Sequence, residues 1–225
     1  MLEENNSTLV DNRGEAILAQ AMFTKGQALL RLKQEEAGLA IFKKLRTKYH
    51  SSERAELSYL LEANHHSSKD HLVEAQRILV TLAETFPTSR YAPRALYEAS
   101  INAEQRGLQD GLEEARDLLE DLVKRFPNSD LIFYARLRQG HLLRKMDEFD
   151  AALDIYDAIL RKDIFNEHPN RALASISKAD CLFAIAKTDS TKLREAADRF
   201  GDLFALGNLP ADLRVEAGFK QAICL

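Results

Sequence analysis

Apolar residues recur along this chain at helical spacing, and they do so in pairs of helices that share one template. The marker is a pair of small residues, one in each helix and usually twelve positions apart. A bulky apolar residue follows the second small residue after four positions and again after seven. Offsets of four and seven lie on one face of an α-helix. The pattern predicts helical hairpins whose two helices approach closely at the small residues.

Five copies of this template can be traced. The small pairs are Gly26/Gly38, Ala63/Ala75, Ala103/Ala115, Gly140/Ala152 and, with a longer intervening loop, Ala179/Ala196. The bulky residues that follow are Phe42 and Leu45, Leu79 and Leu82, Leu119 and Leu122, Tyr156 and Ile159, and Phe200 and Leu203. Repetition of one packing template predicts a stacked helical array.

A Phe-Pro-x-Ser stretch separates successive hairpins. It occurs at Phe86–Ser89 and returns forty residues later at Phe126–Ser129. When the 38 residues that end at each serine are aligned without gaps, twelve positions are identical. Proline ends a helix because it lacks an N–H and crowds the preceding residue, and the serine can cap the next helix. Tyr49-His50 is a degenerate copy of this boundary.

The pattern predicts an all-α fold, a right-handed α-solenoid of helical hairpins. We expect a flexible N-terminal segment over residues 1–13 and a repeat array over 14–225. The predicted hairpins are 15–49, 53–86, 92–126, 131–162 and 170–206, with the first helix of a sixth at 212–225. Solenoids carry polar caps at their ends. Because the last residues repeat an interior motif, we expect the chain to be a fragment of a longer array.

Composition agrees with a helical interaction domain and excludes several other classes. Of 225 residues, 45% are apolar and 29% charged, with a net charge of −4 and few Gly or Pro. No basic patch for nucleic acid, no bilayer-spanning run and no leader segment is evident. Cys181 and Cys224 occupy equivalent places in successive first helices, about 10 Å apart by helix spacing. That separation exceeds the reach of a disulfide, which predicts two small buried thiols.

The small-residue pairs, the aromatic residue and the closing proline together resemble the tetratricopeptide repeat (TPR). The resemblance covers about residues 15–225, although the period here is 37–44 residues. The extended period and the Phe-Pro-x-Ser turn look more like bacterial envelope repeat proteins of the TolA-binding and BamD types. This chain has no lipoprotein cysteine near its start. The resemblance implies a fold that binds protein partners.

The chain offers no catalytic constellation, no phosphate-binding loop and no cofactor motif, so we expect neither an enzyme nor a cofactor. His65, His66 and His71 lie near one turn. Their spacing does not converge on one point as metal ligands must. We therefore predict solvated turn histidines and no metal site.

With no catalytic or metal site predicted, the candidate functional feature is a binding surface. A curved helical array presents its first helices along a concave face. The positions predicted to face inward, with the charged and polar residues beside them, are Phe23, Leu57, Leu60, Tyr97, Tyr134, Leu137, His141, Arg144, Lys145, Leu173 and Ile176. Tyr97 and Tyr134 occupy matching places and could form an aromatic stripe for an extended peptide or a partner helix. The alternative is that these residues are ordinary core between repeats. The Lys/Asn clamp for a peptide carboxylate is missing, which excludes capture of that type.

The predicted function is a non-catalytic protein–protein interaction scaffold, in bacterial envelope assembly if the envelope resemblance holds. A different class, the helical superstructure of a larger cell-wall enzyme, stays open, as does self-association through the C-terminal hairpin. We expect a soluble protein. It would be periplasmic or envelope-associated as part of a longer chain with a signal, and otherwise cytoplasmic.

Overall fold

The computed structural model describes residues 2–107, 109–186, 191–207 and 209–225, with side chains from residue 13 onwards. This part of the chain contains eleven α-helices, one short 3-10 helix and no strand. It forms two compact units, residues 1–106 and 107–225, each of which has its own packing.

The first unit contains five helices. They are α1 (Leu2–Arg31), α2 (Glu35–Lys48), α3 (Glu53–Ser67), α4 (Leu72–Thr85) and α5 (Ala92–Gln105). Helices α1 and α2 form a hairpin, as do α3 and α4. Helix α3 packs on both helices of the first hairpin, and α5 packs on α4. Each helix therefore contacts its neighbours in the chain, as in a stacked array.

The second unit contains six helices. They are α6 (Gln109–Arg125), α7 (Ile132–Lys145), α8 (Phe149–Arg161), α9 (Arg171–Ile185), α10 (Thr191–Ala205) and α11 (Ala211–Cys224), with a 3-10 turn at Asp163–Phe165 before α9. Each packs on the next, and α7 also contacts α9 across the intervening α8. The first helices of successive hairpins are therefore neighbours in this unit.

The helix ends agree closely with the boundaries predicted from the sequence. From α2 onwards, every predicted outer end of a hairpin lies within one residue of the observed helix end. The backbone is helical from Leu2, so the stretch predicted to be a flexible lead-in continues α1. The boundary between the units falls inside the predicted third hairpin, so one continuous array stays a prediction.

Two of the small-residue pairs, Gly26/Gly38 and Gly140/Ala152, show the close packing that was predicted for them. The bulky residues at both following positions are buried in all five second helices. A Cβ atom on Gly26 would lie 2.4 Å from Cε1 of Phe42, and one on Gly140 would lie 2.5 Å from Cε1 of Tyr156. These distances are far below van der Waals contact, so the aromatic rings lie directly on the glycine backbone. In these two hairpins the first small residue therefore sets how closely the second helix approaches.

The turns inside three hairpins share one backbone geometry. Lys33, Asp70 and Asp147 each adopt a positive φ of 61–63°. The next residue in each turn donates its N–H to a carbonyl five positions back; Glu148 N, for example, lies 2.9 Å from Leu143 O. This is a Schellman-type helix ending, in which the left-handed residue allows the last carbonyls to be satisfied.

The turns between hairpins use serine as predicted, with a local difference. The N–H of Ser89 donates to Phe86 O, and the Ser89 hydroxyl accepts from the N–H of Tyr91 at 3.0 Å. Ser129 repeats both bonds with Phe126 and Leu131. The hydroxyl therefore closes the turn just before the helix and does not cap its third N–H. Among the helices whose preceding residue the structure describes, Ser52, which accepts from Ala55 N, is the only N-cap of the usual kind.

Candidate functional site

A row of polar pairs joins the first helices of the second unit. The side chain of Asn170 donates to the Tyr134 hydroxyl at 3.2 Å, His141 Nε2 lies 3.0 Å from the Ser177 hydroxyl, and Arg144 lies 3.4 Å from a carboxylate oxygen of Asp180. Each pair spans 36 residues and links α7 to α9 or to the residue just before it. We call the row the polar ladder; its members are Tyr134, His141, Arg144, Asn170, Ser177, Asp180 and Lys220.

Asp180 extends the polar ladder to α11. Lys220 Nζ donates to Asp180 Oδ1 at 2.7 Å and also lies 2.6 Å from Glu216. Burial lowers the pKa of Lys220, but its bonds to these two carboxylates outweigh that effect and raise the pKa overall. Asp180 of α9 thus lies between two cations, Arg144 of α7 and Lys220 of α11. The three charged residues join three successive first helices.

Two protonated groups lie behind the polar ladder. Tyr156 is fully buried, and its hydroxyl makes no hydrogen bond to the described residues. Burial raises its pKa, against smaller opposing effects of the adjacent Arg144 and Ser177. Burial also raises the pKa of the Cys181 thiol to about 11. Neither group ionises at neutral pH, so neither has the lowered pKa that activates a nucleophile.

An aromatic pocket lies at the N-terminal end of α7. It has a volume of about 540 Å³ and is lined by residues 127–129 of the Phe-Pro-x-Ser turn together with Asp130, Ile132, Phe133, Tyr134, Ile164, Phe165 and His168. The His168 ring stacks on Phe133 with 3.6 Å between centroids. Burial lowers the pKa of His168, whose Nδ1 accepts from the N–H of Asn170. A neutral histidine therefore completes an aromatic wall, and exposed Ile164 adds an apolar rim.

Tyr134 connects the aromatic pocket with the polar ladder. Its ring lines the pocket, 5.3 Å from the His168 ring, while its hydroxyl accepts the first ladder hydrogen bond from Asn170. Positions 134, 141 and 144 lie on one side of α7, because side chains seven and three residues apart are neighbours on a helix surface. Pocket and ladder therefore form one surface.

The residues predicted to face inward fall into two groups. In four hairpins, the residue that lies three positions before the first small residue is buried. These residues are Phe23, Leu60, Leu137 and Ile176. Phe23 lies 6.1 Å from the Phe42 ring, and Ile176 belongs to the core with Phe200. Three residues is about one helical turn, so this position points at the same paired helix as the small residue itself.

The remaining predicted positions are more accessible. In four hairpins, the residue that lies six positions before the first small residue is half-buried. These residues are Leu57, Tyr97, Tyr134 and Leu173. His141 and Arg144 are also half-buried, and Lys145 is exposed. The structure thus brings together Tyr134, His141 and Arg144 on α7. Leu57 and Tyr97 belong to the first unit and stay predictions for that unit alone.

Sequence reasoning missed the partners on the neighbouring helices: Asn170, Ser177, Asp180, Lys220 and His168. A signal was present, because three donor–acceptor pairs recur at the same separation of 36 residues. The small-residue pairs of the two hairpins are instead 39 apart, at Gly140 and Ala179. Neighbouring first helices are therefore offset by about one turn, which single-helix patterns do not reveal.

The histidines predicted to lie at one turn are neighbours in the first unit. The His66 ring lies 5.8 Å from His65 and 5.9 Å from His71. His71 is exposed, as predicted, but His65 and His66 are half-buried, and burial lowers the pKa of His66. Among the described residues, no group of three His, Cys, Asp or Glu side chains is arranged to hold a metal ion. Cys181 and Cys224 are free and buried, which confirms the prediction for the thiols.

Comparison with known proteins supports the repeat assignment. The tetratricopeptide repeat family profile matches residues 20–52 and 95–129. No curated protein matches the sequence of the chain. None of the helices in the described part of the chain has the length and apolar character needed to cross a membrane.

Several solved structures share the fold at low sequence identity. A Podosopora anserina protein described as a kinesin light chain with nearly identical TPR-like repeats is 12% identical, with a TM-score of 0.56 over 85% of this chain and 96% of that one. YrrB, described as a TPR protein with an unusual peptide-binding site, is 17% identical, with a TM-score of 0.55 over 95% and 97%. A thermophilic TPR protein of Thermus thermophilus is 18% identical, with a TM-score of 0.51 over 91% and 99%.

These likenesses confirm the fold class predicted from the sequence, an all-α, TPR-like solenoid. The relation to TolA-binding or BamD-type proteins stays a prediction. The profile match and the shared fold together support the tetratricopeptide repeat as the building unit of this chain.

Proposed function

We propose that this protein is a non-catalytic interaction scaffold that binds an extended segment of a partner protein along the polar ladder. An apolar side chain of that segment enters the aromatic pocket. The observation that carries the proposal is the double role of Tyr134, whose ring lines the pocket while its hydroxyl begins the ladder. A peptide that lies on this surface meets an apolar anchor first and polar groups afterwards.

The chemistry of the surface supports a peptide as the ligand. Extended peptides expose backbone N–H and C=O groups that need partners when they leave water. The ladder supplies donors on Asn170 and Arg144 and acceptors on Tyr134 and Asp180. Aromatic side chains beside an apolar rim provide the desolvated anchor that dominates many interfaces.

The comparison with YrrB supports the same class of function. That protein is described as a TPR protein with an unusual peptide-binding site, and it shares the fold of this chain. TPR proteins generally mediate protein–protein interactions, and the repeat profile matches two segments here. An envelope role rests on the resemblance of the turn and the period alone and stays part of the proposal.

Selection from a random-peptide library on the purified chain tests the proposal without a known partner. Selected peptides are resynthesised and titrated by fluorescence anisotropy. We expect Tyr134→Ala and Arg144→Ala each to weaken binding roughly tenfold, or about 1.4 kcal/mol. Arg94→Ala is the matched control, because Arg94 is also ion-paired, to Glu98 at 2.6 Å, but lies on α5.

Tyr97→Ala belongs in the same series, alone and combined with Tyr134→Ala. A loss in the Tyr97 variant would extend the site to the first unit, as the tyrosine stripe predicts. If selected peptides bind both Tyr134→Ala and Arg144→Ala as tightly as the original chain, the assignment of the site is wrong.

A further inference from the structure

A second cavity in the second unit lies at the N-terminal end of α9, beside the aromatic pocket. It has a volume of about 400 Å³ and is formed by the turn before α9, the start of α9, the end of α10 and the turn before α11. Its lining includes Glu167, His168, Arg171 and Ser175. His168 also lines the aromatic pocket, so the two cavities are neighbours on one surface. We call the second cavity the arginine pocket, after Arg171.

The arginine pocket holds the same place in its hairpin as the aromatic pocket holds in the preceding one. A shift of 39 residues, the same that relates the small residues of the two hairpins, carries residues 127–130 and 132–133 onto 166–169 and 171–172. All of these residues line their respective pockets. Among the described residues, none from α10 lines the aromatic pocket. A cavity at this place is therefore formed by one hairpin and the turns at its two ends.

The arginine pocket differs from the aromatic pocket in its chemistry. Arg171 stands where the aromatic pocket has Ile132, and Ala172 replaces the Phe133 ring. Arg171 is half-buried, and its Nη2 donates to Leu160 O at 2.6 Å. Its Nη1 is buried and has no hydrogen-bond partner among the described residues. The carbonyl therefore holds the guanidinium at the pocket with hydrogen-bonding capacity left over.

No carboxylate in the described part of the chain forms an ion pair with Arg171. Glu167 also lines the pocket, four residues earlier, but it is exposed and does not reach the guanidinium. Lys178, two turns further along α9, is by contrast paired with Asp157 at 2.5 Å. A partly buried cation without a counterion loses hydration without compensation. An anionic group in the pocket would supply the missing partner, and Ser175, one turn after Arg171, offers a second donor.

We propose that the arginine pocket binds an acidic side chain, Asp or Glu, of the extended partner segment whose apolar residue enters the aromatic pocket. The inference rests on the proposed function and adds the charge of the ligand to it. A carboxylate pairs with a guanidinium through two parallel hydrogen bonds, which fix distance and direction. Buried Leu203 and Leu209 line the pocket, and the exclusion of water beside them strengthens the ion pair.

The repeat also predicts the spacing of the two anchors in the bound segment. Neighbouring helices lie about 10 Å apart, and an extended chain advances about 3.3 Å per residue. Alternate side chains of an extended chain share one face. We therefore expect the acidic residue about two or four positions from the apolar anchor.

Peptides selected on the original chain test the proposal. Because the chain carries a net charge of −4, general electrostatic attraction would favour basic peptides, so enrichment of Asp or Glu at this spacing indicates a local site. Exchange of that acid for its amide, or Arg171→Gln in the chain, should each weaken binding about tenfold in fluorescence anisotropy. Glutamine keeps an N–H donor for Leu160 O. The amide peptide should bind the original chain and Arg171→Gln equally, because the two changes remove one interaction.

Two further variants separate the ion pair from general charge. Arg194→Gln makes the same change in net charge at an exposed position of α10 that does not line the pocket, and it should leave the affinity unchanged. Arg171→Glu should bind a peptide with lysine in place of the acid about tenfold more tightly than the original chain does. The fold should accept this glutamate, because negative charge is favourable at the start of a helix. Tm of each variant checks the folding.

The outcomes distinguish this inference from the proposed function. Peptides that need Tyr134 but show no acidic preference and no effect of Arg171→Gln overturn the inference and leave the proposed function standing. Peptides that need Arg171 but neither Tyr134 nor Arg144 support the acidic contact and contradict the proposed function. If amidation of the peptide's C-terminus, and not exchange of the acidic side chain, weakens binding, a terminal carboxylate fills the pocket and the assignment to a side chain is wrong. Failure to select any binding peptide overturns both.

Discussion

Two hairpins, α3–α4 in the first unit and α7–α8 in the second, obey the same rules of construction but present different surfaces. Both turn through an aspartate with positive φ, 63° at Asp70 and 61° at Asp147. Both bury the bulky residues of the second helix. The difference between them separates what the repeat requires from what it leaves free.

The close contact between helices is the first difference. Ala63 of α3 and Gly140 of α7 hold the same place, and the residues four positions after the second small residue are Leu79 and Tyr156. The hairpin with the smaller first residue, Gly140, has the larger residue, Tyr156, at the packing position of its second helix. The comparison indicates that the two positions share one volume, which is divided differently in the two hairpins.

The inner face is the second difference. Three positions of α3, Leu57, Asn64 and Ser67, correspond to Tyr134, His141 and Arg144 of α7. Substitution at these places leaves the small residues and the turn untouched. The repeat template therefore tolerates different inner-face residues on different hairpins, which is how a repeat can acquire a specific partner.

The largest effect that we predict comes from Gly140→Ala. The new methyl group would meet two atoms of the buried Tyr156 ring at 2.5 and 2.6 Å, which the ring cannot avoid inside a packed core. We expect a loss of about 2 kcal/mol in the free energy of unfolding, measured by urea denaturation. Ala63→Gly is the matched control in the other hairpin and should cost only about 1 kcal/mol, from helix propensity.

A double-mutant cycle tests the idea of a shared volume. Gly140→Ala combined with Tyr156→Leu installs the Ala/Leu combination of α3–α4. The double variant should be more stable than Gly140→Ala alone, since the leucine leaves room for the methyl group. Additive losses from the two substitutions would show that the positions do not share a volume.

A smaller effect is expected from His66, which occupies the place of the buried Leu143 of α7. Burial lowers the pKa of His66 below its usual 6.5, and its Nδ1 has no hydrogen-bond partner among the described residues. The neutral form is thus favoured in the fold. The stabilisation is complete above pH 6.5 and declines as the pH falls through the lowered pKa, because the unfolded chain then binds more protons.

His66→Leu should therefore remove part of the acid sensitivity. Thermal unfolding at pH 8 and pH 5 should show a smaller difference in Tm for the variant than for the original chain. Some sensitivity should remain, because burial also lowers the pKa of His168. An unchanged difference in Tm would mean that His66 makes no contribution.

The smallest effects are expected where the two hairpins are alike. Asp70→Gly and Asp147→Gly each relieve a left-handed conformation that glycine adopts more easily. Each should raise the free energy of unfolding by about 0.5 kcal/mol, and by similar amounts, in urea denaturation, because the strain that is relieved, about 1–2 kcal/mol, exceeds the cost of the extra entropy that glycine gives the unfolded chain, about 0.4–1 kcal/mol. A gain in only one hairpin would show that the two turns are not equivalent.

Much of the fold could be predicted from the sequence because its signals are local. Small-residue pairs and Phe-Pro boundaries place the ends of most helices within one residue of where they lie. The left-handed turn residues could not be predicted with equal ease. Lys33 carries no glycine-like signal, and its conformation follows from hydrogen bonds at the end of α1.

The candidate site was predicted less completely because it depends on helix offset. Periodicity alone could not distinguish Leu137, which is buried, from Tyr134, which reaches the surface three residues earlier on the same helix. The partners Asn170 and Asp180 lie on another hairpin and are displaced by one turn. The position of His168 against Phe133 depends on the path of an irregular turn.

The most direct test of the account exchanges the inner face of one hairpin for that of the other. The variant Tyr134→Leu/His141→Asn/Arg144→Ser gives α7 the residues of α3 at matching places. Its affinity for a peptide selected on the original chain is measured by fluorescence anisotropy, with Tm as the control for folding. We predict at least a hundredfold loss of affinity with Tm changed by only a few degrees. An unchanged affinity would contradict the assignment of peptide binding to the polar ladder.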